Sequence, residues 1–293
     1  MCADASVYKV SALGAGDATL TTAPAAGCLA AGDEVLLINL QGRYPVPAMI
    51  ANTGTYETLT VQTAAGSAVT FTTPKAHFYG DTLGMDDNIN LQRVFLQRIP
   101  NYSAVTVAPG GVLTGRVFDG TAGGGVLFLR ATGAVDIQGE IGMDGLGYAG
   151  GGVPAVNGNP GHQGMSRAGA IFNPSSNVGG RGGGYGGYVC NTLFSLPGGG
   201  GALGVAGAVP NDPECGIDAS RAYANLPIML HLGSGGGAGA NAASGSARGG
   251  AGGAGGNTTS GATVSGAGGT TTVGGTGAIS YVCLLYTSDA ADE

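Results

Sequence analysis

YETLTVQTAAGSAVTFTT, residues 56–73, decides the first half of the fold. From Tyr56 to Gln62 the residues alternate. Tyr56, Thr58, Thr60 and Gln62 fall on one side, and Glu57, Leu59 and Val61 on the other. A period of two puts alternate side chains on opposite faces of a strand. Ala64-Ala65-Gly66-Ser67 makes a turn, and Ala68 to Thr73 returns. Two such runs joined by a short glycine-containing loop read as a β-hairpin. Upstream, EVLLINL (Glu34 to Leu40) is a short apolar run after the turn residues Ala31-Gly32-Asp33. Downstream, VFLQRI (Val94 to Ile99) closes the region before Pro100. Residues 1–98 therefore read as a small antiparallel β module, with closure into a barrel as one form of it.

From residue 99 the strands shorten and recur: AVTVA (104–108), GVLT (111–114) and GVLFLRA (125–131). Val135, Ile137, Ile141 and Met143 then alternate with Asp136, Gln138, Glu140 and Asp144, as in one strand ended by Gly145. Strand-turn-strand units with one apolar face suit the rungs of a β-solenoid, each of which needs neighbours to bury that face. The fold class expected is all-β: an antiparallel β module over 1–98, then a β-helix-like segment over 99–282 with long glycine-rich loops. Those loops occupy residues 145–277, with tracts such as GGRGGGYGG (179–187). Missing Cβ atoms let glycine backbones approach closely. Apolar punctuation at Ile171-Phe172, Leu193-Phe194 and Leu226 to Leu232 favours partial order over flexible loop, and Ala278 to Val282 reads as a further core strand.

Composition narrows the function. Glycine contributes 61 of 293 residues, charged residues are 10%, and mean hydropathy is +0.21. Solvated disordered chains carry high charge and low hydrophobicity, so that class does not fit. The glycines keep no strict period of three, which excludes collagen. Eleven Lys and Arg stand against 18 Asp and Glu with no basic stripe, which excludes a nucleic-acid partner. No apolar run reaches the roughly 20 residues of a membrane helix.

Residues 283–293, CLLYTSDAADE, resemble one translated frame of a transposase-type sequencing adapter and are set aside from fold reasoning. Without Asp289, Asp292 and Glu293 the net charge of −7 becomes −4. The start, MCADASVYKV, has neither the basic n-region nor the apolar h-region of a signal peptide. Four cysteines remain, Cys2 and Cys28 being 26 apart and Cys190 and Cys215 being 25 apart. An even count in loop-rich, lysine-poor sequence suggests disulfides and an oxidising compartment. The two local pairings, Cys2–Cys28 and Cys190–Cys215, are preferred among three, with buried free thiols as the alternative. Met1 then reads as an internal methionine of an exported protein.

Chemistry-bearing clusters are sparse. Asp81, Asp86 and Asp87, with Asn88, form the densest acidic patch, in the loop-like DTLGMDDN. This is a calcium candidate, although its spacing does not match an EF-hand's alternating ligands; the alternative is a solvated loop. Asp136 and Glu140 on one strand would stand roughly 13 Å apart, too far for a glycosidase pair. His77, His162 and His231 lie far apart. The many GxG strings lack the βαβ setting of a dinucleotide or phosphate loop. Tyr185 and Tyr188, like Tyr148 and Tyr223, lie in or beside glycine-rich segments. Such tyrosines suit either ligand contact, with a sugar ring for example, or packing across glycine backbone.

AAGDEVLLINLQG (30–42), GTYETLTVQ (54–62), VTFTTPKAHFYG (69–80), QRIPNYSAVTVAPGGVLTG (97–115), GGGVLFLRATGAVDIQGEIGMDGLGYAGG (123–151) and LHLGSGGGAGAN (230–241) resemble large glycine-rich secreted proteins of myxobacteria and their relatives. The resemblance implies an exported, cell-surface or matrix location and a β-helical continuation, with no settled activity and no catalytic residues to transfer. A weaker likeness, to the glycine-rich ectodomain of the anaplastic lymphoma kinase family, rests on glycine tracts alone. The function expected is non-enzymatic structure or adhesion, with a polysaccharide or cell-surface ligand as partner. Two rivals stand beside it. One is a carbohydrate-active β-helix enzyme, for which Arg116 and Arg130 are the only basic residues near the candidate strands. The other is a phage tail-fibre tip.

Overall fold

The computed structural model describes residues 2–42, 52–81, 88–143 and 146–148, and the backbone of 282–286. These residues are all-β, with no helix among them. Six strands close a barrel: β1 (Val7–Leu13), β2 (Asp17–Leu20), β3 (Glu34–Gln41), β4 (Tyr56–Ala65), β5 (Ala68–Phe71) and β6 (Arg93–Arg98). Their order around the barrel is β1-β2-β5-β4-β3-β6, and every pairing is antiparallel. Closure leaves no unpaired edge to template association.

The hairpin expected between residues 56 and 73 is present, with a tighter loop. Ala65 pairs with Ala68, so only Gly66 and Ser67 turn the chain. Gly66 adopts φ 59°, a left-handed value that only residues without a Cβ adopt freely. Leu59 and Val61 point inward, as their alternation requires. The register slips once between Val61 and Thr63, so Gln62 is an extra residue in the ladder. Strands β1 and β2 carry no signal that the sequence reading singled out; they close the barrel by pairing with β6 and β5.

The barrel interior is apolar: Val10, Leu13, Leu20, Val35, Leu37, Leu59, Val61, Val69, Phe71, Val94 and Leu96 are buried together, with Tyr79 and Ile89. Strand β3 is buried on both faces. Leu36, Ile38 and Leu40 belong to a second cluster outside the barrel wall, with Phe95, Ile99, Phe118, Phe128 and Tyr148. Two-sided burial is why residues 34–40 read as a continuous apolar run instead of an alternating one. The segment around Phe118 covers this outer face. The Phe118 ring meets Phe95 at 6.4 Å and Tyr148 at 5.2 Å, edge to face in both cases.

Beyond the barrel the pairing changes sense. Strands β7 (Asn101–Tyr102), β8 (Val105–Val107) and β9 (Val112–Leu113) pair in parallel with β10 (Leu127–Ala131), β11 (Val135–Ile137) and β12 (Glu140–Ile141). Asn101 stands beside Arg130, Val105 beside Val135 and Val112 beside Glu140, so partners recur after 28 to 30 residues. Leu127, Leu129 and Met143 are buried between these sheets, against Tyr102, Val105, Leu113 and Ile141. Strand β10 is thus a shared wall. Phe128 turns to the barrel, and Leu127 and Leu129 turn to the other core.

Residues 135–144 do not form the single strand that alternation suggests. The chain bends at Gln138-Gly139, between β11 and β12. The separation of roughly 13 Å for Asp136 and Glu140 assumed one strand, and it does not apply. Strand β13 (Val282–Tyr286) lies parallel to β10 on the side away from β7. Of the strand expected at 278–282, only Val282 is among the described residues. The other four residues of β13 belong to the adapter-like segment. A ladder is built from backbone groups, so an open edge accepts short apolar runs of many sequences.

Outside the strands, Asp119 organises the loop that covers the barrel. Its Oδ1 accepts from Thr121 N at 2.8 Å, Ala122 N at 2.6 Å and Thr121 Oγ1 at 3.3 Å. Desolvation pushes its pKa up, but the Ala122 and Thr121 hydrogen bonds, with the Arg116 charge alongside, outweigh that and hold it below the ordinary carboxylate value. A depressed folded pKa gives stability that is complete above the unfolded value and lost as pH falls through the folded one. Acid titration followed by NMR is therefore expected to shift the Thr121 and Ala122 amides below the usual carboxylate range. Asp119→Asn abolishes that step. Amides indifferent to acid would mean that the turn is not held by this carboxylate.

Candidate functional site

Buried polar side chains gather where β3 leaves the barrel. Asn39 shares the inward face with Val35 and Leu37, and it is fully buried. Its Nδ2 donates to Gln92 Oε1 at 2.8 Å, and its Oδ1 accepts from Gln41 N at 3.2 Å. Its backbone is also engaged, through Asn39 N to Thr55 O and Gly54 N to Asn39 O. The β3–β6 register slips at Leu40, so Gln41 stands opposite Arg93. Gln92 Nε2 is buried and has no hydrogen-bond partner among the described residues. Carboxamides donate and accept but do not ionise near neutral pH, so this group can hold a hydroxyl or a water and cannot do acid–base chemistry. The signal was in the sequence: Asn39 and Gln41 break an otherwise apolar run.

Asp81 lies at the same end and is buried. Both its oxygens accept the Leu91 N–H at 3.1 Å, and its own N–H donates to Asn88 O. Asn52 Nδ2 reaches Gly80 O at 3.0 Å. Asp81 is thereby tied to both Asn88 and Leu91. Asp86 and Asp87, its partners in the calcium expectation, lie outside the described residues. Among the described residues no three His, Cys, Asp or Glu side chains gather as a metal site would require.

Tyr79 fills the barrel nearby and donates to Leu37 O. Burial, with Glu57 beside it, pushes its phenol well above the usual tyrosine range, so it stays a neutral donor. Glu57 accepts the backbone N–H groups of Ala76 at 2.7 Å and His77 at 3.1 Å. His77 contributes only backbone to this arrangement.

Both arginines that a polysaccharide-cleaving reading would draw on have carboxylate partners. Arg116 Nη2 meets Asp119 at 3.4 Å. Arg130 forms a two-pronged pair with Glu34, donating through Nε and Nη2, and both side chains are mostly buried. This fork joins β10 to β3 across the outer core. Asp136 accepts from Gln138 Nε2 at 2.7 Å.

Cys2 and Cys28 are bonded, with their Cα atoms 5.3 Å apart. Cys190, Cys215, Tyr185 and Tyr188 lie outside the described residues, as do His162 and His231. Tyr148, in contrast, packs across barrel and loop as a core residue and donates to Leu40 O.

No protein-family model, curated protein or solved structure matches the chain. Among the described residues no helix is long and apolar enough to cross a membrane.

Proposed function

We propose that this chain belongs to an exported cell-surface or matrix protein acting in structure or adhesion, with a small barrel at the head of a β-helix. The Cys2–Cys28 bond carries the location: disulfides persist in oxidising compartments and are rare in a reducing cytosol. The β-helix rests on three parallel pairings at the same 28-to-30-residue offset, which suits two successive coils. Residues 1–98 and 99–282 are then the head module and the coil region. The glycine-rich tracts within 149–277, expected as excursions from a coil, lie outside the described residues; that expectation rests on their composition and on the resemblance to myxobacterial glycine-rich secreted proteins.

The lyase or glycosidase reading loses support because Arg116 and Arg130 are already committed to Asp119 and Glu34. A tail-fibre tip shares the same architecture and is distinguished by gene neighbourhood.

The test is expression of the full open reading frame with an epitope tag, followed by fractionation and non-reducing gels. The expected outcome is a surface or extracellular product without a free Cys2 or Cys28 thiol, able to bind whole cells or extracted polysaccharide. A cytosolic product with both thiols free would overturn the proposal. Release of unsaturated uronate from polyuronates would replace it with the enzyme reading.

A further inference from the structure

The N-terminal residues form a strap at the junction of the barrel and the first parallel strand. Arg98, the last residue of β6, donates its backbone N–H to Ser6 O at 2.8 Å and Nη1 to Asp4 O at 3.2 Å. Its Nε also pairs with Asp33 at 3.0 Å. Four residues on, in β7, Tyr102 donates its hydroxyl to Asp4 Oδ2 at 3.0 Å. Residues 4 to 6 therefore touch both the end of the barrel wall and the strand that starts the parallel sheets. Of the contacts that the strap itself makes here, one uses the Ser6 carbonyl and the other two run through exposed Asp4.

Exposed hydrogen bonds of this kind contribute little, and ordering a chain terminus costs backbone entropy. What offsets that cost is the bond from Cys2 to Cys28. Cys28 is well anchored: it is buried, the next residue Leu29 is in the barrel core, and its carbonyl accepts from Tyr8 Oη. Cys2 is exposed, so an external thiol can reach the bond. The barrel itself does not depend on it, because β1 pairs with β6 from Val7 onward and is packed through Val10 and Leu13.

The geometry points to a redox-operated latch: the Cys2–Cys28 disulfide holds the strap across the seam between β6 and β7, and its reduction unfastens that seam while the barrel stays folded. The chemistry is thiol–disulfide exchange. One thiolate of a dithiol attacks a disulfide sulfur, the S–S bond breaks, and a mixed disulfide forms. The second thiol then displaces the protein sulfur. Cys2 and Cys28 end as two thiols, having gained two electrons and two protons, and the dithiol ends as a cyclic disulfide.

The experiment uses the full chain, oxidised, before and after dithiothreitol, with amide hydrogen exchange read by mass spectrometry. Expected after reduction is about tenfold faster exchange in the peptide holding Arg98 and Tyr102, with 34–40 unchanged. Cys2→Ser should reproduce this without reductant, which separates it from any bond at Cys190 or Cys215. In a second readout, Tyr102 titrates above the usual tyrosine range because of burial first and Asp4 second. Reduction should lower that titration, seen as a difference against Tyr102→Phe. Three results would overturn the latch: no change in the 98–102 peptide, an effect of dithiothreitol that Cys2→Ser does not reproduce, or loss of protection in 34–40 together with 98–102. The last would make the bond a staple of the whole barrel.

Discussion

Phe95→Ala is expected to cost about 3–5 kcal/mol, a large part of the roughly 5–15 kcal/mol that holds an ordinary domain together. Phe95 is fully buried, yet it lies on the outer face of the barrel wall, where a simple barrel would meet water. Its ring contacts Phe118 edge to face and shares a cluster with Leu36, Ile38 and Phe128. Gly123 packs so closely that a Cβ there would come within 2.8 Å of the ring. Truncation leaves a cavity that the closed ladder of β1, β6 and β3 cannot collapse to fill. Urea denaturation reads the loss as a lower midpoint. Val112→Ala is the control: Val112 is 57% exposed, and its truncation should change stability by no more than about 0.5 kcal/mol. Equal costs for the two variants would mean that the 114–126 segment does not cover the barrel.

Gly139→Ala is expected to separate the parallel strands while leaving the barrel folded. Gly139 is the corner between β11 and β12, and it stacks on the turn between β8 and β9. Its N–H donates to Val107 O at 2.9 Å, and the next N–H, of Glu140, donates to Gly111 O at 2.9 Å. A Cβ at this position would meet the Gly111 carbonyl oxygen, the Ala108 carbonyl oxygen at 2.5 Å and a Val107 methyl at 2.8 Å. Two of the three are backbone oxygens of the facing turn, so the paired strands must move apart. Overpacking of this kind costs about 1–3 kcal/mol. Hydrogen exchange should rise across 135–141 and stay unchanged across 34–40. Gly16→Ala, where a Cβ would meet nothing within 4 Å, should be neutral or slightly stabilising. If Gly139→Ala matches it, the 138–140 and 107–111 turns are not in close contact.

Much of this was written locally. The alternation of Leu59 and Val61 with threonines marked β4, the run Ala64 to Ser67 marked its turn, two residues too broadly, and the run 94–99 marked β6. Each is a near-neighbour pattern, and the physics of a strand face or a tight turn needs no distant partner. The Cys2–Cys28 bond agrees with the connectivity of two local pairs preferred among three, while the second pair, Cys190–Cys215, lies outside the described residues. Strands β1 and β2 were not legible. VYKVSAL mixes lysine and serine with its apolar residues, DATL is four residues long, and both become strands because the barrel supplies partners on either side.

The candidate polar site was half legible. Asn39 and Gln41 are visible as interruptions, but Gln92 lies 53 residues from Asn39, and only closure of β3 against β6 brings its amide to 2.8 Å. The fork between Arg130 and Glu34 spans 96 residues and carries no sequence signal at all. The corner at Gly139 was misread as mid-strand, because alternation on either side of a bend looks the same as alternation through a strand.

Taken by itself, the sequence determined the β character, the tight turn and the low charge, since these follow from side-chain period, glycine's missing Cβ and composition. Tertiary structure alone decided that the sheet closes, that β3 and β6 are buried on both faces, and that the chain changes from antiparallel to parallel pairing after Pro100. Those outcomes depend on which backbone edges meet and which apolar faces cover one another. Both are properties of residues far apart in the chain, and no local pattern encodes them.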